Sequence, residues 1–339
     1  VQGSSTMSER ITASAPGKVV LSGEYAVLNG APAICMAVNR RAVVTIEEMD
    51  DDHHVVVAPG HVDEPRRFLV RAGVFGWLDS SDEFELLEHV WRATGIRRRG
   101  GLSLRLDTSA FLDPVRGCKT GIGSSAALSV ALAFALDALA PGEFDPVKAA
   151  HEGHLSFQGG LGSGVDIATS AAGGLVKYVT KGRVTTRLPM PAGLESRLLW
   201  SGSPASTGKK LEKLSKHGPQ PSIDALVFSS KRMASAWESG SAYEVLTRYR
   251  EYISVLQEFS ADHDLDVFAA GHDELTRLAA AAGLVYKPCG AGGGDIGILL
   301  ADAAARADDF VAESLPEEFQ ALDLRLDERG AEATRDSGE

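Results

Sequence analysis

The sequence predicts a two-domain protein of mixed α and β structure, and three observations carry the prediction. Apolar residues alternate with polar ones at 41–48 and 101–107, the pattern of strands with one wet face. The run 126–140 is rich in Ala and Leu and is broken only by Ser129 and Asp137, so it reads as a helix buried in an interior. Beyond residue 190, amphipathic helical segments are followed by short strands, and 339 residues exceed one ordinary core.

Taken in order, a strand at 11–15 is expected to end at Pro16-Gly17. Segments 19–21 and 31–38 then bracket Gly23-Glu24-Tyr25 and the turn Leu28-Asn29-Gly30. β character continues at 55–57 and 67–71, and 84–94 reads as a helix. Asp145 is placed to cap a helix over 145–157, with Pro146 at its first position. A small-residue run at 167–172 looks like the start of a buried helix, 175–188 like a hairpin around Lys181-Gly182, and 198–200 like a strand. Pro189-Met190-Pro191 has the most linker-like composition, which sets domains of 1–190 and 191–329. Helices follow at 223–238, 241–259 and 265–282, strands at 285–288 and 296–300, a helix at 301–314 and a strand at 321–326. The polar tail 330–339 is expected to be disordered.

A net charge of −12 argues against nucleic acid and anionic membrane as partners. No apolar run approaches the roughly 18 uninterrupted residues of a membrane span. Three cysteines, Cys35, Cys118 and Cys289, are odd in number and far apart, so no disulfide framework is implied. With no secretory signal pattern, the expected compartment is the reducing cytoplasm. A negative protein that binds phosphates must build local positive potential from backbone N–H groups, a metal ion and a few lysines. Lys18, Lys119, Lys209, Lys210 and Lys287 lie beside glycine-rich segments and are the candidates.

Lys119-Thr120-Gly121-Ile122-Gly123-Ser124-Ser125-Ala126-Ala127 reads as a phosphate cradle joined to the buried helix. Its glycines permit positive φ and close backbone approach, and the helix N-terminus points unpaired N–H groups at whatever occupies the loop. The plainer alternative is an N-cap, Ser124 or Ser125, on a core helix. Asp166, after Gly162-Ser163-Gly164, is the candidate acid or base, or else a cap for the helix it opens. A lone lysine placed like Lys18, after a strand and before a turn, is usually a solvated residue, and spacing alone does not show that it meets Asp166. If the two meet, the ammonium would neutralise charge on a transferring phosphoryl group. The segment 202–210 resembles a P-loop but has one residue too many between the glycines and Lys210 where Ser or Thr should stand. Ser206, Lys209 and Lys210 could still grip an anion, or form a solvated loop. His151 and His154 stand three apart with no third ligand evident, so no metal is expected there. His53, His54 and His61 read as surface residues.

Three segments together resemble the signature motifs of the GHMP kinase superfamily: Ala15-Pro16-Gly17-Lys18 with Gly23-Glu24-Tyr25-Ala26-Val27, the Gly121–Ala127 loop, and Gly290-Ala291-Gly292-Gly293-Gly294-Asp295. They stand in family order across nearly the whole chain. Within the family the pattern is most similar to the phosphomevalonate kinases, through His154, Gln158-Gly159, Gly162-Ser163-Gly164-Val165-Asp166 and Lys287-Pro288 before the last glycines. Mevalonate kinases usually carry a magnesium-binding glutamate about where His154 stands. Val165 replaces a usual Phe and Cys289 a usual Ser, and 203–210 is only loosely like the family's substrate loop.

The resemblance implies an α/β and α+β two-domain GHMP kinase fold, with an N-terminal ribosomal S5-like domain and a C-terminal ferredoxin-like domain. It implies ATP-dependent phosphorylation of 5-phosphomevalonate with Mg²⁺, by a monomer or homodimer. The alternatives are a mevalonate or sugar kinase and an ATP-dependent decarboxylase of the same superfamily. Asp166 and Lys18 would be catalytic. Lys119, Gly121, Ile122, Gly123, Ser124, Ser125 and Ala126 would bind ATP, with Ser125 on the metal. Glu24, Tyr25, His154, Gln158, Ser163, Gly164, Gly292, Gly293 and Asp295, with Ser206, Lys209 and Lys210, would bind the phosphorylated acceptor.

Overall fold

The structure, a computed structural model, describes residues 9–80, 82–97, 100–205, 207–215 and 221–336. The chain runs β1 (Arg10–Ser22), β2 (Ala33–Met49), β3 (His54–Ala58), β4 (Val62–Arg71), β5 (Val74–Trp77), α1 (Glu85–Thr94), β6 (Gly101–Asp107), α2 (Ser124–Leu139), α3 (Pro146–Phe157), α4 (Val165–Ala172), β7 (Leu175–Val179) and β8 (Val184–Leu188). It continues through β9 (Glu195–Trp200), α5 (Thr207–Ser215), α6 (Pro221–Ser239), α7 (Ala242–Asp262), α8 (His272–Ala281), β10 (Val285–Pro288), β11 (Ile296–Ala301), α9 (Ala304–Ser314), β12 (Gln320–Leu322) and β13 (Glu332–Asp336).

β1 to β8 and β13 form one nine-stranded sheet whose centre is the long strand β2. β2 pairs with β1 along most of its length, then with β6 at one end and β7 at the other. The second sheet has four antiparallel strands in the order β10-β11-β9-β12. The strands change sheet between Leu188 and Glu195, on either side of the boundary read at residue 190. α2 packs on β1 and β2 and touches α1, α3 and α4, so it is enclosed on all sides. Its alanines and leucines at 126, 127, 131, 132, 133, 135 and 136 are fully buried, as an apolar run without a polar face requires. The antiparallel pair α6 and α7 bridges the sheets, meeting β1 and β2 on one side and β10 on the other, within one continuous core.

Capping behaves as the sequence predicts at α3, where Asp145 Oδ1 accepts the N–H groups of Val147 and Lys148 at 2.9 and 3.0 Å and Pro146 leads the helix. Four expectations are corrected. Pro16-Gly17 does not end a strand, because β1 absorbs the proline at a register shift opposite Arg41 and continues to Ser22. The helix expected over 265–282 begins only at His272, since Asp266 and Ala270 take left-handed φ of 50° and 56°. His54 is buried against Phe68 and Trp91, with ring centroids at 4.8 and 5.1 Å.

The fourth correction is the tail: residues 332–336 form β13, antiparallel to β1, and only 337–339 lie outside the described residues. Its side chains are exposed and, Ala333 apart, polar, a composition that reads as disorder. The strand is added through backbone hydrogen bonds, and Arg41 anchors the approach by bonding Asp327 Oδ2 and the Gly330 carbonyl, both at 2.7 Å.

Candidate active site

The N-terminus of α2 opens on a cavity of about 580 Å³ bordered by all the glycine-rich segments. The cap reading of Ser124 and Ser125 does not hold: Gly123 is the N-cap in left-handed conformation (φ 81°), no side chain caps the helix, and both serines lie in its first turn. The first-turn N–H groups therefore have no intrahelical acceptor and carry the positive end of the dipole. Gly121 is also left-handed (φ 79°), and a side chain there would overlap the Asp295 carboxylate. At Gly123 a Cβ would sit 2.8 Å from Lys18 Cε. Both glycines are thus places where one motif presses against another. Ala126, expected to bind ATP, is buried in the core and does not line the cavity.

Lys18 and Asp166 line the same cavity, which spacing alone could not show. The Lys18 N–H donates to the Ile122 carbonyl at 2.8 Å, tying β1 to the α2 loop. Among the described residues no ion pair engages the Lys18 ammonium. Asp166 stands in the first turn of α4 behind the N-cap Gly164, and its Oδ1 accepts the Ile167 N–H at 3.0 Å. A local helix-end contact and a place in the cavity therefore coexist. Ser125 Oγ lies 3.1 Å from His154 Nε2, and burial lowers the titration of that imidazole, so it is neutral at pH 7. Tyr178 Oη donates to the Ser163 carbonyl at 2.9 Å, and the His151 ring lies against Gly164, so the Gly-Ser-Gly turn is braced from behind.

The last glycine segment is held by side chains from several other segments. Tyr25 takes a left-handed φ of 61° and donates its hydroxyl to the Ala291 carbonyl at 2.6 Å. Asp295 is left-handed too (φ 53°), and burial raises its titration against the opposing pull of the Ala205 N–H and Lys18. Lys210, expected to bind the acceptor, instead donates to the carbonyls of Gly292 (2.8 Å), Asp266 (3.2 Å) and Ala291 (3.3 Å). Its ammonium is consumed by loop oxygens. Ser206 and the side chain of Lys209 lie outside the described residues.

Glu24 borders the cavity, but its carboxylate is engaged elsewhere. Oε1 pairs with Lys287 Nζ at 2.5 Å and Oε2 accepts from Tyr252 at 3.1 Å, all of it buried. Lys287 is therefore no source of potential for a ligand. Lys119, Gln158, Ser163 and Gly292 do line the cavity, whereas Gly293, Gly164 and His154 stand behind its wall. Apolar wall residues such as Val20, Leu28 and Leu161 carry no functional signal in the sequence, because nothing in a lone aliphatic residue distinguishes a cavity wall from a core.

The chain is also similar to known proteins. The family description "GHMP kinases N terminal domain" matches residues 86–174. A phosphomevalonate kinase from Streptomyces sp. (strain CL190) is 30% identical over 353 aligned positions, covering 87% of this chain and 90% of that protein. A mevalonate kinase from Bos taurus is 27% identical, covering 87% of this chain and 86% of that protein. Among solved structures, the phosphomevalonate kinase of Streptococcus pneumoniae in complex with phosphomevalonate and AMPPNP superposes with a TM-score of 0.77 at 19% identity, covering 93% of this chain and 99% of that one.

Proposed function

This chain belongs to the GHMP kinase family of small-molecule phosphotransferases, and on that premise we propose that it is a phosphomevalonate kinase, transferring the γ-phosphoryl group of ATP to the phosphate of 5-phosphomevalonate. The observation that carries the reading is the convergence of Lys18, Asp166 and the uncapped N-terminus of α2 on one cavity. For the acceptor, support comes from the Streptomyces relative and from His154, a neutral imidazole where mevalonate kinases usually place a carboxylate.

In this reading the first-turn N–H groups of α2, with Lys119, Gly121, Gly123 and Ser124, hold the ATP phosphates. A phosphate oxygen of the acceptor attacks the γ-phosphorus, the bond to the β,γ-bridging oxygen breaks, and ADP leaves. The second pKa of a phosphate monoester is about 6, so most of the acceptor arrives already deprotonated at pH 7. Asp166 takes any remaining proton and aligns the attacking oxygen, while the Lys18 ammonium meets the charge on the equatorial oxygens. Positioning and neutralisation make up most of the catalysis.

The residues fit a magnesium ion. Among the described residues no trio of His, Cys, Asp and Glu gathers in the cavity, which leaves isolated oxygen donors such as Ser125 Oγ and the Asp166 carboxylate. Ser125 Oγ and the Asp166 carboxylate would hold a bound Mg²⁺, which would supply charge neutralisation at the phosphates.

The decisive experiment measures ADP formation with mevalonate, 5-phosphomevalonate and a panel of sugars. We expect turnover with 5-phosphomevalonate, a stable diphosphate product and no CO₂. Preferential turnover of mevalonate or a sugar would overturn the acceptor, and CO₂ release would indicate a decarboxylase.

A further inference from the structure

His272 opens α8 with no exposed surface, and both of its ring nitrogens are engaged. Nε2 lies 3.2 Å from the carbonyl of Gly294, and Nδ1 lies 2.7 Å from Tyr286 Oη. A carbonyl only accepts, so Nε2 carries the proton and donates it. Nδ1 then accepts from the tyrosine hydroxyl, and the tautomer is set by its partners. Burial pushes the titration of this imidazole down to about 4, so it stays uncharged at neutral pH. Phe319 packs edge-on against both rings, with centroids at 5.4 and 6.2 Å. Gly297 leaves room for the Tyr286 hydroxyl, which a side chain there would overlap.

The carbonyl that His272 grips belongs to the peptide joining Gly294 to Asp295. The other side of that peptide is held as well, since the Asp295 N–H donates to the Ser203 carbonyl at 2.7 Å. Asp295 follows in a left-handed conformation that costs a non-glycine residue energy, and its carboxylate packs against Gly121 of the α2 loop. A rotation of the peptide would move Asp295, and with it the loop from which α2 points its N–H groups.

We propose that His272 is a positioning residue for phosphoryl transfer, fixing the Gly294–Asp295 peptide from the far side of the cavity wall so that Asp295 and the α2 loop keep their register. The proposal rests on reading the cavity as a phosphoryl-transfer site. Its test uses the full chain and two independent readouts: hydrogen exchange across residues 290–296 by mass spectrometry, and kcat and KM for ATP and 5-phosphomevalonate per mole of folded protein. His272→Leu removes the donor at similar volume, and His272→Gln restores a donor at the place of Nε2. We expect His272→Leu to speed exchange in 290–296 and to lower kcat about tenfold or more, the scale of one lost aligning contact. His272→Gln should return both to within about threefold of wild type.

Unchanged exchange in folded His272→Leu would overturn the proposal, as would equal losses in both variants that merely follow their melting temperatures. If His272→Leu does not fold, Tyr286→Phe decides. Freeing Nδ1 should raise exchange in the same segment and lower kcat more modestly, and wild-type behaviour in both would sink the idea. A wild-type protein inactive on every acceptor would defeat the functional reading instead, and exchange would then decide on its own whether His272 positions the loop.

Discussion

Glu24 and Lys287 form a buried ion pair, joining the segment just after β1 to strand β10 of the second sheet at 2.5 Å. Lys287 Nζ also donates to the Leu21 carbonyl at 3.1 Å, and Tyr249 and Tyr252 supply the surrounding hydroxyls. Removing one partner leaves a buried charge without its counter-ion. Lys287→Met is therefore expected to cost about 3–5 kcal/mol, whereas Glu24→Gln combined with Lys287→Met should cost distinctly less. Urea unfolding of the two single variants and the double variant checks this. A double variant as unstable as the sum of the singles would show that the two charges do not act as a pair.

Asp166→Asn should fold normally, because an asparagine oxygen can still accept the Ile167 N–H. Its kcat should fall about a hundredfold or more if the carboxylate handles or aligns the attacking oxygen. The comparison is kcat against far-UV circular dichroism on the same sample. Turnover like wild type would remove Asp166 from the mechanism.

Gly123→Val is expected to abolish ATP binding while leaving helix content largely intact. Valine tolerates a φ of 81° poorly, and its Cβ would crowd Lys18 Cε at 2.8 Å. Calorimetry with ATP and Mg²⁺ measures the loss. Unaltered affinity would mean that the nucleotide is held elsewhere.

Acid should unfold the protein partly through His272. Its titration lies at about 4 in the folded state and near 6.5 in an unfolded chain. Between those values the unfolded state binds more protons, so stability rises with pH and is lost on acidification from about 6.5 toward 4. The full effect is about 3 kcal/mol, and His272→Gln should lack it. Urea midpoints at pH 7 and pH 5 report the slope. A slope equal to that of wild type in the variant would assign the titration to another group.

Local patterns were legible where a single element decides its own form. The apolar run of α2, the Asp145 cap with Pro146, and the hairpin around Lys181-Gly182 depend on neighbours in sequence, and the structure places them within a residue or two of the reading. The beginning of α8 and the strand β13 were not legible. A left-handed Asp266 leaves no compositional trace, and an edge strand held through its backbone resembles any other polar segment.

The sequence by itself determined the family, the glycine-rich segments, and the presence of Lys18 and Asp166 beside them, because these are matters of residue type and order. Tertiary structure alone decided how the lysines are used. Lys18 faces the cavity, Lys210 is spent on the carbonyls of a glycine loop, and Lys287 is buried against Glu24. An ammonium has the same chemistry at all three positions, and only the groups that the fold packs against it determine whether its charge is free for a ligand. The same holds for His272, an unremarkable residue in the sequence whose partners, Tyr286 and Gly294, lie beyond the helix it opens. Contacts between distant segments arise from burial and packing of the whole chain, so no local pattern announces them.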